Sequence, residues 1–292
     1  MNENTRSRLL LFFIGIPLFV VVLYFFPFWH FGLIAAVLLA IQYLSSHELR
    51  SILPLGGLRD PGAGVTIAGL VQSLAVYIAC ILAKNPSEPA VLLFFVSAVC
   101  LTIELAPLGL QKKSSFPELL KAAASIVLLH FYTALLPSLI MLIVAGFPEA
   151  RDAIITFALL TFGNDSLAWL FGNYVGGKRN IVEVSPNKSI AGFVGGTLGS
   201  IVGAFLGIGP LAGPWKPLGW NYIFLSLGLG IGMAFFVIMG DLFESALKRA
   251  ARTKDSGNIV PGRGGVLDSF DSLYFSAPFF VAFSFLFHVF GL

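Results

Sequence analysis

Long, uninterrupted apolar stretches are the feature that most constrains how this chain folds. A membrane-spanning helix needs roughly 20 consecutive apolar residues, and about nine stretches of that length recur along the sequence. They lie near residues 8–27, 29–47, 63–83, 90–110, 121–146, 152–172, 189–208, 220–240 and 273–291. Only 11% of the residues are charged, against about 25% in soluble globular proteins. A water-soluble fold is therefore excluded.

The length of these stretches also decides between the two architectures that a bilayer tolerates. Only helices and closed barrels satisfy their backbone groups in lipid, and barrel strands are ~10 residues long with alternating polarity. The stretches here are longer and uniformly apolar, which predicts an all-α polytopic integral membrane protein with about nine transmembrane helices. We divide it into residues 1–150, with about five spans, and residues 151–292, with polar loops at 173–189 and 241–272.

The positive charges predict an orientation. Of the 18 Lys and Arg residues, 15 fall in alternate loops counted from the N-terminus, and the opposite loops hold only Lys84, Arg151 and Lys216. Cytoplasmic loops of membrane proteins are enriched in Lys and Arg. We therefore expect the N-terminus and both polar loops to be cytoplasmic. The compact chain favours a bacterial inner membrane.

Three acidic residues stand out at membrane depth, where carboxylates are costly and often functional. They are Glu104, Asp165 and Asp241. Each also has a structural alternative that the sequence leaves open. Glu104 could lie near the headgroups or be protonated, Asp165 could bond a neighbouring helix, and Asp241 could be an ordinary interfacial residue.

A dense polar segment follows Asp241. Asp241, Ser245 and Lys248 are spaced by four and three residues, so they share one face if the helix continues into the cytoplasm. Asp268 and Asp271 follow just before the last apolar stretch, again three residues apart. Carboxylates suit Mg²⁺ and neighbouring cations suit phosphate oxygens, which indicates a site for a metal-bound polyphosphate. The alternative is a basic loop resting on anionic lipid, but that does not explain three aspartates among the cations.

A second polar segment precedes the seventh stretch. Ser185 to Ser189, with the sequence SPNKS, predicts a turn with Ser189 as a helix N-cap. Lys188 is then placed to hold a phosphate at the helix start. Glycines recur every four residues along that stretch, at Gly195, Gly199, Gly203 and Gly207. Such a stripe favours close packing against another helix of the same chain, with a dimer interface as the alternative.

These segments resemble a known family. The run S-A-L-K-R-A-A-R-T-K-D-S-G-N-I-V-P-G-R-G-G-V-L-D-S-F-D, from Ser245 to Asp271, resembles the signature of the phosphatidate cytidylyltransferases. That signature reads S-x-x-K-R, four residues, K-D, a small residue, then H-G-G-x-x-D-R-x-D. The segments G-D-L-F-E-S, D-S-L-A-W-L-F-G and S-P-N-K-S-I-A-G-F-V-G-G are also similar to the family's, and the resemblance covers roughly residues 160–285.

The resemblance implies an activity and the roles of individual residues. The family joins CTP and phosphatidic acid into CDP-diacylglycerol, releases pyrophosphate, and thereby serves phospholipid biosynthesis. The implied catalytic residues are Asp241, Ser245, Lys248, Arg249 and Asp268. The implied substrate-binding residues are Lys188, Ser185, Arg263, Lys254 and Asp255. The implied ligands of Mg²⁺, with room for a second metal ion, are Asp241, Asp268, Asp271 and Asp165.

The implied partners are CTP, phosphatidic acid or a related lipid phosphate, and membrane lipids, with a homodimer left open and no nucleic acid. Four positions depart from the family pattern: Arg263 replaces His, Ser269 replaces Arg, Asn258 replaces His and Ala191 replaces Glu. Because Ser269 has no positive charge, we expect Arg263 to bind the phosphate instead, since its guanidinium grips phosphate oxygens in a fork. The alternatives are a cytidylyltransferase for another lipid phosphate, or a non-catalytic transporter or scaffold for anionic lipids.

Overall fold

The computed structural model describes residues 15–83, 85, 87–112, 116–147, 149–208, 220–262 and 264–290. Within these ranges the regular structure is helical, apart from two isolated bridges that join Arg179 to Ser189 and Val260 to Gly264. The α-helices are α1 (Ile16–Phe25), α2 (Phe28–Ile52), α3 (Ala63–Leu82), α4 (Ser87–Leu105), α5 (Phe116–His130), α6 (Leu136–Ala145), α7 (Ala150–Tyr174), α8 (Ile190–Leu206), α9 (Trp220–Ala250) and α10 (Leu267–Phe290).

The helices confirm the predicted fold class. In the described ranges, seven helical segments are long and apolar enough to cross a membrane. Helix α8 coincides with a further predicted span but is shorter, at 17 residues. Helix α1 lies within the predicted span 8–27, of which residues 8–14 lie outside the described residues. The count of nine and the cytoplasmic N-terminus stay predictions. Helix α9 continues beyond Asp241 to Ala250, and α10 already includes Asp268 and Asp271, so the segment predicted as loop 241–272 is partly helical.

The chain forms two compact units. The first comprises Met1–Gly146 together with Leu247–Phe270, and the second comprises Phe147–Ala246 together with Asp271–Leu292. The division of the chain at residue 150 stays a prediction. The segment Leu247–Phe270, which carries most of the signature, clusters with the N-terminal helices.

Buried polar side chains join the helices of the first unit. A short π-helix, Phe131–Leu135, connects α5 to α6. Pro137 has no N–H to donate to the carbonyl of Thr133, and the Gln42 side chain of α2 donates to that carbonyl instead, at 2.9 Å. Ser73 of α3 bonds Ser138 of α6 at 2.8 Å. These bonds fix α2 against the π-helix and α3 against α6, where apolar packing in lipid supplies little specificity.

The glycine stripe of α8 packs against α7 in the second unit. A Cβ added at Gly199 would lie 2.1 Å from the carbonyl oxygen of Gly163, and one at Gly203 would lie 2.6 Å from that of Leu159. The two backbones are therefore close enough that only glycine fits. The predicted packing within one chain is confirmed.

Candidate active site

Lys188 lies at the centre of a group of acidic side chains in the second unit. It stands in the turn before α8, where its N–H donates to the carbonyl of Ser185 at 3.1 Å. The hydroxyl of Ser189 accepts from Gly192 N at 3.1 Å and caps α8. Both the predicted turn and the predicted N-cap are thus confirmed, and they place the lysine at the start of the helix.

Three aspartates from three different helices act on this lysine. The Lys188 ammonium contacts the Asp241 carboxylate of α9 directly, with both side chains about one-third exposed. The negative charges of Asp271 on α10 and Asp165 on α7 also act on it. We call these four residues the Lys188 cluster. Burial lowers the pKa of the Lys188 ammonium below its usual value, and the charges of Asp271 and Asp165 partly oppose that shift.

The Lys188 cluster has the donor chemistry of a divalent cation site. Mg²⁺ prefers carboxylate oxygens and usually keeps water and substrate phosphates as further ligands. Asp165, Asp241 and Asp271 supply such oxygens, and all three direct negative charge at one cationic group. As they stand, no three His, Cys, Asp or Glu side chains in the described part of the chain are grouped closely enough to hold an ion. In the type of their ligand atoms, the three aspartates nevertheless fit a divalent cation, and Lys188 is the cationic group on which all three now act.

Asp268 organises a second group, in the first unit. Its Oδ1 accepts from Lys248 Nζ at 2.5 Å, and both side chains are largely buried. Its Oδ2 accepts from the backbone N–H groups of Ser256, at 2.9 Å, and Gly265, at 2.6 Å. We call Lys248, Ser256, Gly265 and Asp268 the Asp268 cluster. A carboxylate with this many donors holds the loop before α10 in one conformation.

Glycine is required beside this carboxylate. Gly264 has a φ of +100°, and a Cβ there would lie 2.7 Å from Asp268 Oδ2. A residue with a Cβ atom would be disfavoured here, because it rarely adopts that φ and because its Cβ would be too close to the carboxylate. Glycine at position 264 thus lets the backbone pass close to the Asp268 carboxylate.

The other predicted site residues differ in exposure. Ser245 is half-buried on α9, whereas Arg249 is exposed near the end of the same helix. Lys254 and Asp255 are exposed in the loop that follows. Ser185 is half-buried in the turn before α8. Arg263 lies outside the described residues.

Three of the positions that depart from the family pattern are described. Ser269 donates its hydroxyl to the carbonyl of Gly265 at 3.2 Å, so it supports the loop rather than supplying a positive charge. Ala191 is half-buried in the first turn of α8. Asn258 is exposed.

The sequence interpretation missed two buried carboxylate contacts. Glu104 of α4 lies 2.9 Å from His130 Nδ1 of α5, although the histidines show no informative spacing in the sequence. Glu48 of α2 is buried and binds the loop before α10. The sequence did not indicate Glu48 because it falls just after the predicted span 29–47, whereas α2 continues to Ile52. The rule that flags acidic residues at membrane depth would have found it with a longer helix.

Curated proteins from several bacteria are similar to this chain. It is 40% identical over 126 residues to a phosphatidate cytidylyltransferase of Helicobacter pylori, covering 43% of this chain and 44% of the relative. It is 42% identical over 123 residues to a phosphatidate cytidylyltransferase of Bacillus subtilis, covering 41% and 43%. It is also 43% identical over 124 residues to the uncharacterized protein YnbB of Escherichia coli, covering 42% and 39%. Each match spans less than half of the relative's length.

A family model covers much more of the chain than these pairwise matches. The model of the cytidylyltransferase family matches residues 6–287, which includes the N-terminal helices as well as the signature. The predicted resemblance is confirmed, and the chain belongs to the cytidylyltransferase family.

Proposed function

We propose that this protein transfers the cytidylyl group of CTP to a lipid phosphate, with phosphatidic acid as the acceptor. An oxygen of the lipid phosphate attacks the α-phosphorus of CTP, the bond to the β-phosphate breaks, and CDP-diacylglycerol and pyrophosphate are formed. The observation that carries this proposal is the Lys188 cluster, in which a lysine and three carboxylates converge within a family that transfers cytidylyl groups.

Electrostatic repulsion between the two substrates is the main barrier, because both are anions. The lipid phosphate monoester has a second pKa of about 6, so it is largely ionised at neutral pH and needs no general base. When bound, a divalent cation such as Mg²⁺ neutralises charge on phosphate oxygens. We assign Asp165, Asp241 and Asp271 as its ligands, since Asp241 contacts the Lys188 ammonium and the charges of Asp165 and Asp271 act on it.

The cations of the signature are assigned to phosphate binding. Lys188 stands at the start of α8, where backbone N–H groups favour an anion. Lys248, Arg249 and Arg263 supply further positive charge, and Ser245 supplies a hydroxyl. Asp268 orients Lys248 through the 2.5 Å contact and is a further candidate ligand of the cation. Lys254, Asp255 and Ser185 are assigned to the loops that border the substrate.

An apolar cavity in the second unit supports a lipid acceptor. It has a volume of about 380 Å³ and is lined by residues of α8 and α9, among them Phe193, Ile231, Phe235, Ile238 and Met239. The Lys188 ammonium lies 5.7 Å from the ring centroid of Phe193, so a phosphate held by the lysine is next to an apolar surface. This arrangement suits an amphiphile with its headgroup at the lysine and its acyl chains in the bilayer.

The test is an assay of the purified full-length protein with radiolabelled CTP. The acceptors are phosphatidic acid, a polyprenyl phosphate and a lipid without a phosphate, each with Mg²⁺ and with a chelator. We expect label to enter phosphatidic acid only with Mg²⁺ present. Transfer to the polyprenyl phosphate alone would reassign the acceptor. If no acceptor is labelled, the enzyme proposal is wrong and a transporter or scaffold for anionic lipids is the better interpretation.

A further inference from the structure

Glu48 is a buried carboxylate that the signature does not include. It lies near the end of α2, more than two hundred residues before the loop that it contacts, and only 4% of its surface is exposed. A carboxylate removed from water is costly unless it is hydrogen-bonded. Its partners therefore show what this side chain does.

The side-chain hydrogen bonds of Glu48 go to the start of α10 and to the loop that precedes it. Its Oε1 accepts from Val266 N at 2.9 Å, and its Oε2 accepts from Leu267 N at 2.8 Å. Leu267 is the first residue of α10, and N–H groups at a helix start have no partner within the helix. A negative charge there is also favoured by the helix dipole. Glu48 thus caps α10 from a different helix.

Ser256 links this cap to Asp268. The Ser256 hydroxyl lies 3.0 Å from Glu48 Oε2 and 3.0 Å from Asp268 Oδ2. It carries one proton, so it donates to one carboxylate at a time and holds both against the same loop. Asp268 directly follows Leu267, and its other oxygen binds Lys248. The position of Glu48 is therefore transmitted to the Asp268–Lys248 pair.

Two positions of the loop require glycine because the Glu48 carboxylate lies close to their backbone. A Cβ added at Gly257 would lie 2.4 Å from Glu48 Oε1, and a Cβ added at Gly265 would lie 2.4 Å from Glu48 Oε2. Both distances are far below van der Waals contact. Glycine at these two positions thus allows the close approach of the loop to Glu48.

We propose that Glu48 is a positioning residue of the active site, which fixes Asp268 and Lys248 through Ser256 and the start of α10. This inference rests on the proposed cytidylyl transfer and adds to it a residue from the N-terminal helices. Glu48 itself does not contact the substrate.

The first test compares Glu48→Gln with Glu118→Gln, an exposed glutamate of α5 that serves as the control. Gln keeps the size of the side chain but presents an NH₂ group where two backbone N–H groups require an acceptor. We expect kcat to fall by at least tenfold, with the KM for CTP changed by less than threefold. Glu118→Gln should leave both constants unchanged. A Glu48→Gln enzyme with wild-type kcat would overturn the proposal.

A second measurement does not depend on activity. Limited trypsin digestion reports how often the loop opens, because Arg252 and Lys254 are exposed on it. We expect cleavage in Glu48→Gln to be at least fivefold faster, and Gly265→Ala to behave likewise because its Cβ would displace the Glu48 carboxylate. Gly64→Ala is the control, since nothing lies within 4 Å of its added Cβ. An unchanged cleavage rate in both Glu48→Gln and Gly265→Ala would show that Glu48 does not hold the loop.

The coupling to Asp268 is tested with a double variant. If Glu48 acts through Ser256, the kcat of the double variant Glu48→Gln/Ser256→Ala should equal that of the single variant with the lower kcat. Losses that multiply would mean that the two residues act independently, against the proposal. An inactive wild-type protein would instead overturn the proposed function, while the digestion would still report on the loop.

Discussion

The Lys188 cluster differs from a single charged residue at the membrane surface because three carboxylates act on one ammonium group. An exposed lysine would bind phosphate by charge alone, whereas Lys188 is held by Asp241 and acted on by Asp165 and Asp271. The lysine therefore occupies a defined position, at the start of α8, before any substrate arrives. Its charge state can be tested directly.

The pH dependence of the reaction should report the lowered pKa of Lys188. Because burial lowers the pKa of Lys188, its ammonium is lost at a lower pH than that of an ordinary lysine. We expect kcat/KM to fall on the alkaline side below the usual lysine pKa of about 10.4. In Lys188→Arg the guanidinium stays charged, so this fall should move to higher pH. Lys121→Arg, at an exposed lysine of α5, is the control.

The sign of the stability effect separates this result from unfolding. A lysine with a lowered pKa in the folded state binds fewer protons there than in the unfolded chain. Its contribution to folding stability therefore rises with pH between the folded pKa and the usual value. If unfolding accompanies the alkaline loss of activity, measured by thermal denaturation across the same pH range, Lys188 is not its cause.

The contact between Glu104 and His130 should stabilise the first unit without taking part in the reaction. Both side chains are at most 4% exposed, and the other ring nitrogen of His130 lies 2.9 Å from the Ser97 hydroxyl. Removing one member of a buried pair typically costs about 3–5 kcal/mol. We expect His130→Ala to lower the Tm in detergent by several degrees, whereas Glu118→Ala at an exposed site should not. An unchanged Tm would contradict this role.

Packing between helices depends on how closely two backbones approach. The α7–α8 contact places glycine against backbone carbonyls, and Asn164 adds a hydrogen bond to Ser200 at 2.9 Å. Because α8 begins at the N-cap that follows Lys188, this contact also sets where the lysine lies. The glycine stripe of α8 thus helps to position Lys188.

A single methyl group should disrupt this support. In Gly199→Ala the added Cβ would lie 2.1 Å from the Gly163 oxygen, so the helices must separate. Overpacking typically costs about 1–3 kcal/mol, and we expect a lower Tm together with reduced transfer activity. Gly64→Ala, with an unobstructed Cβ on α3, should retain both. Equal behaviour of the two variants would contradict a packing role for the stripe.

For the whole molecule, the distribution of positive charge predicts one orientation in the membrane. In a variant without Cys80 and Cys100, we expect a cysteine at Asn180 or Thr253 to react with an impermeant thiol reagent from the cytoplasmic side. A cysteine at Asn85 should react from the opposite side. Labelling of Asn180→Cys and Asn85→Cys from the same side would show that the predicted number of crossings between them is wrong.

The elements of the fold were predictable to different degrees. Apolar stretches located the helices well, because hydrophobic length is a local property of the sequence. Helix ends at polar segments were predicted unevenly. The continuation of α9 beyond Asp241 was expected and is confirmed as far as Ala250, whereas α2 continues past its predicted end at residue 47 to Ile52. The bilayer does not dictate where a helix that has left it stops, so hydrophobicity carries no information on that point.

The fold class, the family and most of the candidate residues could be inferred from the chain alone, because they depend on composition and on a signature of fixed spacing. Which of those residues meet became visible only in three dimensions. The packed helices bring three aspartates from α7, α9 and α10 to act on Lys188, and they join Glu48 to a loop far along the chain. Hydrogen bonds between distant segments depend on how the helices pack, which no local pattern in the sequence records.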